Sequence, residues 1–305
     1  MTKQPGKFTI WLLSIALLTL PLSVLSDTDK ARTEAMKEAT ESVESDVQAM
    51  ADEATGQRRK KIRQQAIDAL AHTREALTAL EEERVDDALE ALALTTGKLE
   101  LIMARDPELA LAPTDVAVIT HDVYASKQAI EDAIEQAEEA LDDGEVQAAR
   151  ELLAGLGSEI IISVTNLPLA TYPEAIKAVT PLIDDGEIAT AKRSLQAALN
   201  TLVVTEHVVP LPILRANALL DSAEELAAKS DRSDSEAEEL DNQLKAARNQ
   251  LEMAELLGYG DEKRYAPLYK ELESLQKKVR KGDSDSNLFD KVGNSMTRLW
   301  DSVFG

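Results

Sequence analysis

The sequence predicts a mainly α fold of stacked helical hairpins with internal repeats, and leaves open a small accessory β-sheet. Three observations predict it. First, a phrase recurs at a fixed distance: residues 141–169 read LDDGEVQAARELLAGLGSEIIISVTNLPL, and residues 183–211 read IDDGEIATAKRSLQAALNTLVVTEHVVPL. Asp142 and Asp184, Gly144 and Gly186, and Pro168 and Pro210 are each 42 positions apart. A period of this size marks stacked supersecondary units. Second, hydrophobic residues make up 44% of 305, but aromatics only 3%. Such a core of Leu, Ala, Ile and Val suits packed helices, where Ala lets backbones approach. Third, a weaker copy lies upstream. Val85, Ala88, Leu92, Leu99 and Pro107 precede Val146, Ala149, Leu153, Ile160 and Pro168 by 61 positions. Stacked units usually present surfaces for binding.

The balance of 33 Lys and Arg against 56 Asp and Glu gives a formal charge of −23. A surface this acidic repels phosphate backbones, which excludes nucleic-acid binding as a main role. No Cys is present, so disulfides, thiol catalysis and thiolate-held zinc are excluded.

Residues 1–26 read as an export signal. Lys3 and Lys7 precede the apolar run Phe8–Leu25, and Val24-Leu25-Ser26 is an acceptable cleavage site before acidic residues. Pro21 disfavours an uncleaved spanning helix. The expected destination is the periplasm. Residues 27–56 form an acidic arm, either solvated or helical and in need of a partner. A helix is expected over 57–83, with Ile62, Ala66, Ala69, Leu70, Thr73, Leu77 and Leu80 on one face. Glu81-Glu82-Glu83 ends it, and a second helix follows after a tight turn. Residues 105–118 read as a loop, with Pro107 and Pro113 as breakers. The next helix is expected over about 121–141, with Val123, Ile130, Ile134, Ala137 and Leu141 inward. This helix accounts for the extra length between the first two copies.

Each LDDG or IDDG stops one helix and starts the next. Gly takes the left-handed position, and Glu145 or Glu187 favours the positive helix start. Ile188, Ala191, Leu195, Ala198 and Leu202 line the following helix. The β-branched runs at 160–164, 202–204 and 208–209 are buried helix ends or short strands; periodicity does not separate the two. Further helices are expected over 213–228, from a Ser233/Glu236 capping box through Ala254, and along Tyr265–Val279. Lys281–Asn287 is a linker. In the 288–305 helix, Phe289, Trp300 and Phe304 share an apolar face that needs somewhere to dock. It either packs on its own domain or a sister subunit, or contacts a partner or membrane surface.

No catalytic residue, metal site or cofactor is expected. His72, His121 and His207 have no metal-motif spacing, and there is no GxSxG, P-loop or GxGxxG. His121-Asp122 is a His–carboxylate neighbour pair and a candidate acid/base or ligand site. However, Thr120 and Asp122 also read as ordinary first-turn residues. Loops 168–173 and 209–212 are equivalent in neighbouring copies and are expected to lie near each other. Tyr172, His207 and Arg215 would then line a small-ligand or peptide groove. The plainer reading is that the prolines rigidify turns.

The stretches TGKLELIMARDPELALAP (96–113), THDVYAS (120–126), 141–173, VVTEHVVPLPILRA (203–216) and AELLGYGD (254–261) resemble the YfdX family. The resemblance covers roughly residues 60–275, within a helical domain of 57–280. It implies an exported, helix-rich protein associated with bacterial stress, notably acid stress, and a chaperone-like, self-associating role. The family supplies no established catalytic residues to carry over.

The function expected is a non-enzymatic periplasmic stress protein that binds client or partner polypeptides as a homo-oligomer. The alternatives are an exported small-ligand binder using the Pro-Leu loops, and an envelope scaffold docked through 288–305, the one segment suited to membrane contact.

Overall fold

The computed structural model describes residues 27–123, 125–281 and 286–304. The export signal at 1–26 and most of the linker at 281–287 lie outside the described residues.

Two helices open the described chain, α1 (Asp27–Ser42) and α2 (Glu44–Arg59). They realise the second reading of this segment: Val43, Val47 and Ala51 are buried against the rest of the molecule. The helix expected from 57 does not run through. Arg58 and Arg59 close α2, where cations meet the negative helix end. Arg63 then leaves helical geometry and donates its N–H to the Pro113 carbonyl at 2.9 Å. Helix α3 (Gln64–Glu81) starts only after it, leaving Ile62 in the connection.

Three units follow, each a helical hairpin and a strand. The first is α3, α4 (Val85–Arg105) and β1 (Leu111–His121). The second is α5 (Lys127–Asp142), α6 (Val146–Ala154) and β2 (Glu159–Pro168). The third is α7 (Tyr172–Lys177) with α8 (Val179–Asp184), then α9 (Ile188–Leu199) and β3 (Val203–Pro210). Pro181 has no N–H to give the Lys177 carbonyl, which is where α7 stops.

All three hairpins turn through the same hydrogen bonds. Arg84, Glu145 and Glu187 donate to the carbonyls of Ala79, Ala140 and Leu182 at 2.8, 2.7 and 2.8 Å. Glu83, Gly144 and Gly186 donate to Leu80, Leu141 and Ile183. This pairing places the central residue in the left-handed region, at φ of 60°, 78° and 75°. The first copy therefore holds a glutamate where the other two hold glycine. The 61-residue offset aligns this turn and then fails. Helix α4 is 21 residues long against 9 in α6, so Leu99 is helical where Ile160 is in a strand. The extra length lies mostly in α4 and the loop after it, since α5 has counterparts in the other units.

The loop expected over 105–118 is mostly strand. Pro113 is tolerated because β1 is an edge strand and its register shifts between Pro113 and Asp115. The run Val116–Ile119 then extends the strand with β-branched residues. Thr120 and His121 end it, so neither these residues nor Asp122 start a helix. Ser126 caps α5 instead, accepting from the Ala129 N–H. Leu141, expected inward, is exposed.

The antiparallel sheet has the order β1-β2-β3. Along β2, Ile160, Ile162 and Val164 are buried on one face. They join a core with α2, α10 (Leu211–Ala228), α11 (Asp234–Leu256), α12 (Glu262–Val279) and α13 (Ser286–Phe304). Ser233 and Glu236 form the expected capping box on α11. A second core joins α3, α4 and α7–α9, with Ala112 and Leu167 from one end of the sheet. Phe289, Val292, Met296 and Leu299 of α13 are buried in the first core. The terminal helix thus docks on its own domain.

Candidate functional site

Strand β1 ends at His121, and the chain leaves the sheet at Asp122. Helix α10 starts directly after β3 and brings Arg215 to the same place. Arg215 Nη1 and Nη2 donate to Asp122 Oδ1 and Oδ2 at 3.1 and 2.7 Å, a two-pronged pairing. Ser158 Oγ donates to Asp122 Oδ1 at 2.8 Å, and Glu44 Oε2 lies 3.4 Å from Arg215 Nε. The two side chains are 13% and 11% exposed, so this pair is largely withdrawn from water. Burial opposes the guanidinium charge, but Asp122 and Glu44 outweigh it and hold Arg215 above its usual range. Beside them, Tyr259 donates to Glu159 at 2.7 Å and accepts from the Ser158 N–H at 3.0 Å. Burial and the Glu159 bond push its phenol up.

A cleft of about 580 Å³ opens over this network, walled by Met36, Val123, Pro212 and Met253. Arg215 and Ser158 reach it, but the Arg215 fork is taken up by Asp122. The arrangement ties the end of β1 to α10 and α2. Its serine hydroxyl, Ser158 Oγ, donates to a carboxylate that the Arg215 fork already holds.

The other expected site residues are scattered. His121 is exposed at the strand end, opposite Glu159 in register. His207 lies in mid-β3 opposite Ile162. Burial, with Arg58 and Lys61 nearby, pushes its imidazole below the ordinary value. Tyr172 is fully buried in the second core and donates to Thr73 Oγ1 at 3.0 Å. The expected groove does not form. Because β2 and β3 are antiparallel, Glu159 at the start of β2 pairs with Pro210. Pro168, at the other end of β2, pairs with Leu111. The two Pro-Leu loops therefore sit at opposite ends of the sheet. Phe289 is buried, and Trp300 packs partly buried against the first core. The Phe304 side chain lies outside the described residues. Among the described residues, no group of three or more His, Asp or Glu is placed to hold a metal ion.

Sequence reasoning missed an open apolar surface, the second face of the sheet. Ile119, Ile161 and Val208 form one cross-strand row on it, and Val204 opposes Thr165 two rows away. Ile119, Val204 and Val208 are 53%, 57% and 36% exposed. The alternating β-branched residues of 116–120 were the signal, overridden by the two prolines before them.

These features define a helical-repeat protein with a small antiparallel sheet, open on one face, and a clamped ion pair at its edge. Residues 69–208, just under half of the chain, match the family model described as YfdX protein. That family is not known as an enzyme family. The resembling phrase at 254–261 lies beyond the matched segment. A solved structure of YfdX from Salmonella Typhi aligns at 19% identity. The alignment covers 49% of this chain and 93% of that one, with a TM-score of 0.34. Comparison with curated proteins gave no match.

Proposed function

We propose that this chain is a non-enzymatic, exported, stress-associated protein of the periplasm that binds apolar segments of client or partner polypeptides, a second copy of itself included. The observation that carries this reading is the Ile119–Ile161–Val208 row, exposed at both ends and half-buried at Ile161. Large apolar side chains left open together on a sheet mark an interaction surface more often than isolated ones do.

The chemistry of the surface favours binding in acid. At pH 7 the formal charge is −23. Near pH 4 about half of ordinary carboxylates are protonated, leaving roughly 28 negative charges. That is fewer than the 33 Lys and Arg. Self-repulsion collapses, and contacts between apolar surfaces meet less electrostatic opposition. In support of an address outside the cytoplasm stands the export signal read from residues 1–26. No helix among the described residues is long and apolar enough to cross a membrane. The small-ligand reading loses its groove to the antiparallel register, and the scaffold reading loses Phe289 to the first core.

The test is light scattering from a chemically unfolded model client at pH 4 and pH 7, with and without the mature protein. Suppression of aggregation at pH 4, weakened in Ile119→Ser/Val208→Ser, supports the reading. Folded protein that leaves the client aggregating at both pH values overturns it.

A further inference from the structure

The repeats supply an internal control for what covers a hairpin. Leu141 and Leu153 of the second unit correspond to Ile183 and Leu195 of the third, 42 positions on. Ile183 and Leu195 are buried in the second core, where α9 packs against α3. Their counterparts Leu141 and Leu153 are 50% and 47% exposed, and Val146 beside them is 57% exposed. The same phrase therefore makes the same hairpin twice, and only one copy has its apolar face covered. In the second unit, α5 rests on α11 near its start, through Ile130 and the Lys127–Glu252 ion pair at 2.6 Å. The tip, with Leu141, Val146 and Leu153, is left open.

Charge identifies the occupant. The 28 residues Lys127–Ala154 hold nine Asp and Glu against Lys127 and Arg150, a net charge of −7. None of those nine carboxylates is in an ion pair among the described residues. The covered hairpin, residues 172–199, holds four acidic and three basic residues, a net of −1. It packs on the acidic first hairpin, and Lys177 of α7 sits 4.0 Å from Glu100 of α4. Inside this molecule, then, an acidic hairpin is met by a helix that brings one cation, Lys177, beside its apolar stripe. A second copy of the −7 hairpin would bring like charge to like charge, which opposes association at neutral pH.

We propose that the open tip of the α5–α6 hairpin is a docking site for a basic amphipathic helix of a partner polypeptide, with Leu141, Val146 and Leu153 taking its apolar stripe and the surrounding carboxylates its Lys and Arg. This follows the helix-in-groove mode of recognition. It rests on the reading that the chain binds polypeptides, and it adds a second surface with its own partner chemistry.

The experiment uses the full mature chain and an 18-residue Leu/Lys amphipathic peptide, with a Leu/Glu peptide of the same pattern as control. Binding is read by fluorescence anisotropy at pH 7. The Leu/Lys peptide is expected to bind and the Leu/Glu peptide not to. Raising salt from 50 to 500 mM is expected to weaken binding at least tenfold, because screening removes the exposed-charge attraction. Leu141→Ser/Leu153→Ser is expected to weaken it tenfold or more. Glu138→Lys/Glu145→Lys, which leaves the apolar tip intact, is expected to do the same. Circular dichroism checks that both variants fold. Equal binding to the wild type and both variants overturns the proposal, as does salt-independent binding. Self-association of the wild type that Leu141→Ser/Leu153→Ser abolishes also overturns it, by assigning the tip to a second copy. Client protection that survives these variants but is lost in Ile119→Ser/Val208→Ser removes this site while leaving the sheet-face reading intact.

Discussion

Replacing Glu83 with glycine should make this protein more stable, while the reverse kind of change at the equivalent turns should weaken it. Glu83 has φ of 60°, and its turn bonds match those around Gly144 and Gly186. A side chain in left-handed geometry costs roughly 1–2 kcal/mol. Glycine there removes that cost but returns about 0.4–1 kcal/mol of extra freedom to the unfolded chain. Glu83→Gly should therefore stabilise by about 0.5–1 kcal/mol. Gly186→Ala and Gly144→Ala should destabilise by about 1 kcal/mol each. An added Cβ at either glycine meets nothing within 4 Å, so the penalty is conformational and not steric. The assay is thermal unfolding by circular dichroism, where ~1 kcal/mol moves the midpoint by about 2–4 °C for a domain of 150–250 residues. A lower midpoint for Glu83→Gly, or an unchanged one for Gly186→Ala, would refute the claim that the three turns are one motif.

The remaining predictions concern burial, the ion pair and pH. Leu195→Ala should cost about 2–5 kcal/mol, whereas Leu153→Ala should stay within about 0.5 kcal/mol, both read from urea midpoints. Arg215→Met leaves Asp122 largely buried without its partner and should cost about 3 kcal/mol; Arg215→Met/Asp122→Leu should recover most of it, since no lone charge remains. His207 has a folded-state pKa below its ordinary 6.5. As pH falls below about 6.5, the unfolded chain gains a proton that the folded chain refuses, so stability is lost across that window. His207→Gln should remove this slope, and melting temperatures of the two proteins should diverge from pH 7 down to pH 5. Glu252 acts in the acid range. Burial opposes its charge, but the hydrogen bonds from Lys127 and Arg248 outweigh that and hold it below its ordinary 4.5. Its contribution is present above that value and fades as pH falls through the lower folded value, so Glu252→Gln should destabilise at pH 7 and converge with wild type in strong acid.

Sequence signals carried the local features well and the long-range ones poorly. Gly144 and Gly186 announced their turns because only glycine adopts that geometry without cost. Ser233 and Glu236 announced the start of α11 because a capping box is complete within four residues. Leu195 and Ala191 were legible from helical spacing. The strand β1 was not, because Pro107 and Pro113 read as breakers, and only pairing to β2 shows that Pro113 sits at a bulge on an edge. The same limit produced the false groove. Equivalent sequence positions in neighbouring copies suggested proximity, but antiparallel pairing sends Pro168 and Pro210 to opposite ends. Arg215 and Asp122 meet across 93 residues, a distance over which neither residue carries a local sign of the other. Leu141 and Leu153 look in sequence like Ile183 and Leu195. What exposes the first pair is the absence of a facing hairpin, which lies outside the phrase they share.

The central claim is that clients bind the uncovered face of the sheet, and photocrosslinking tests it most directly. A benzophenone side chain would be placed singly at Ile119, at Val204, at Ala189 on the outer side of α9 and at Lys37 beside the Arg215 cleft. Each protein would be irradiated at pH 4 with an unfolded client. Crosslinks from Ile119 and Val204, with little from Ala189 or Lys37, are the result predicted. Crosslinks confined to Lys37, or equal at all four positions, would contradict it.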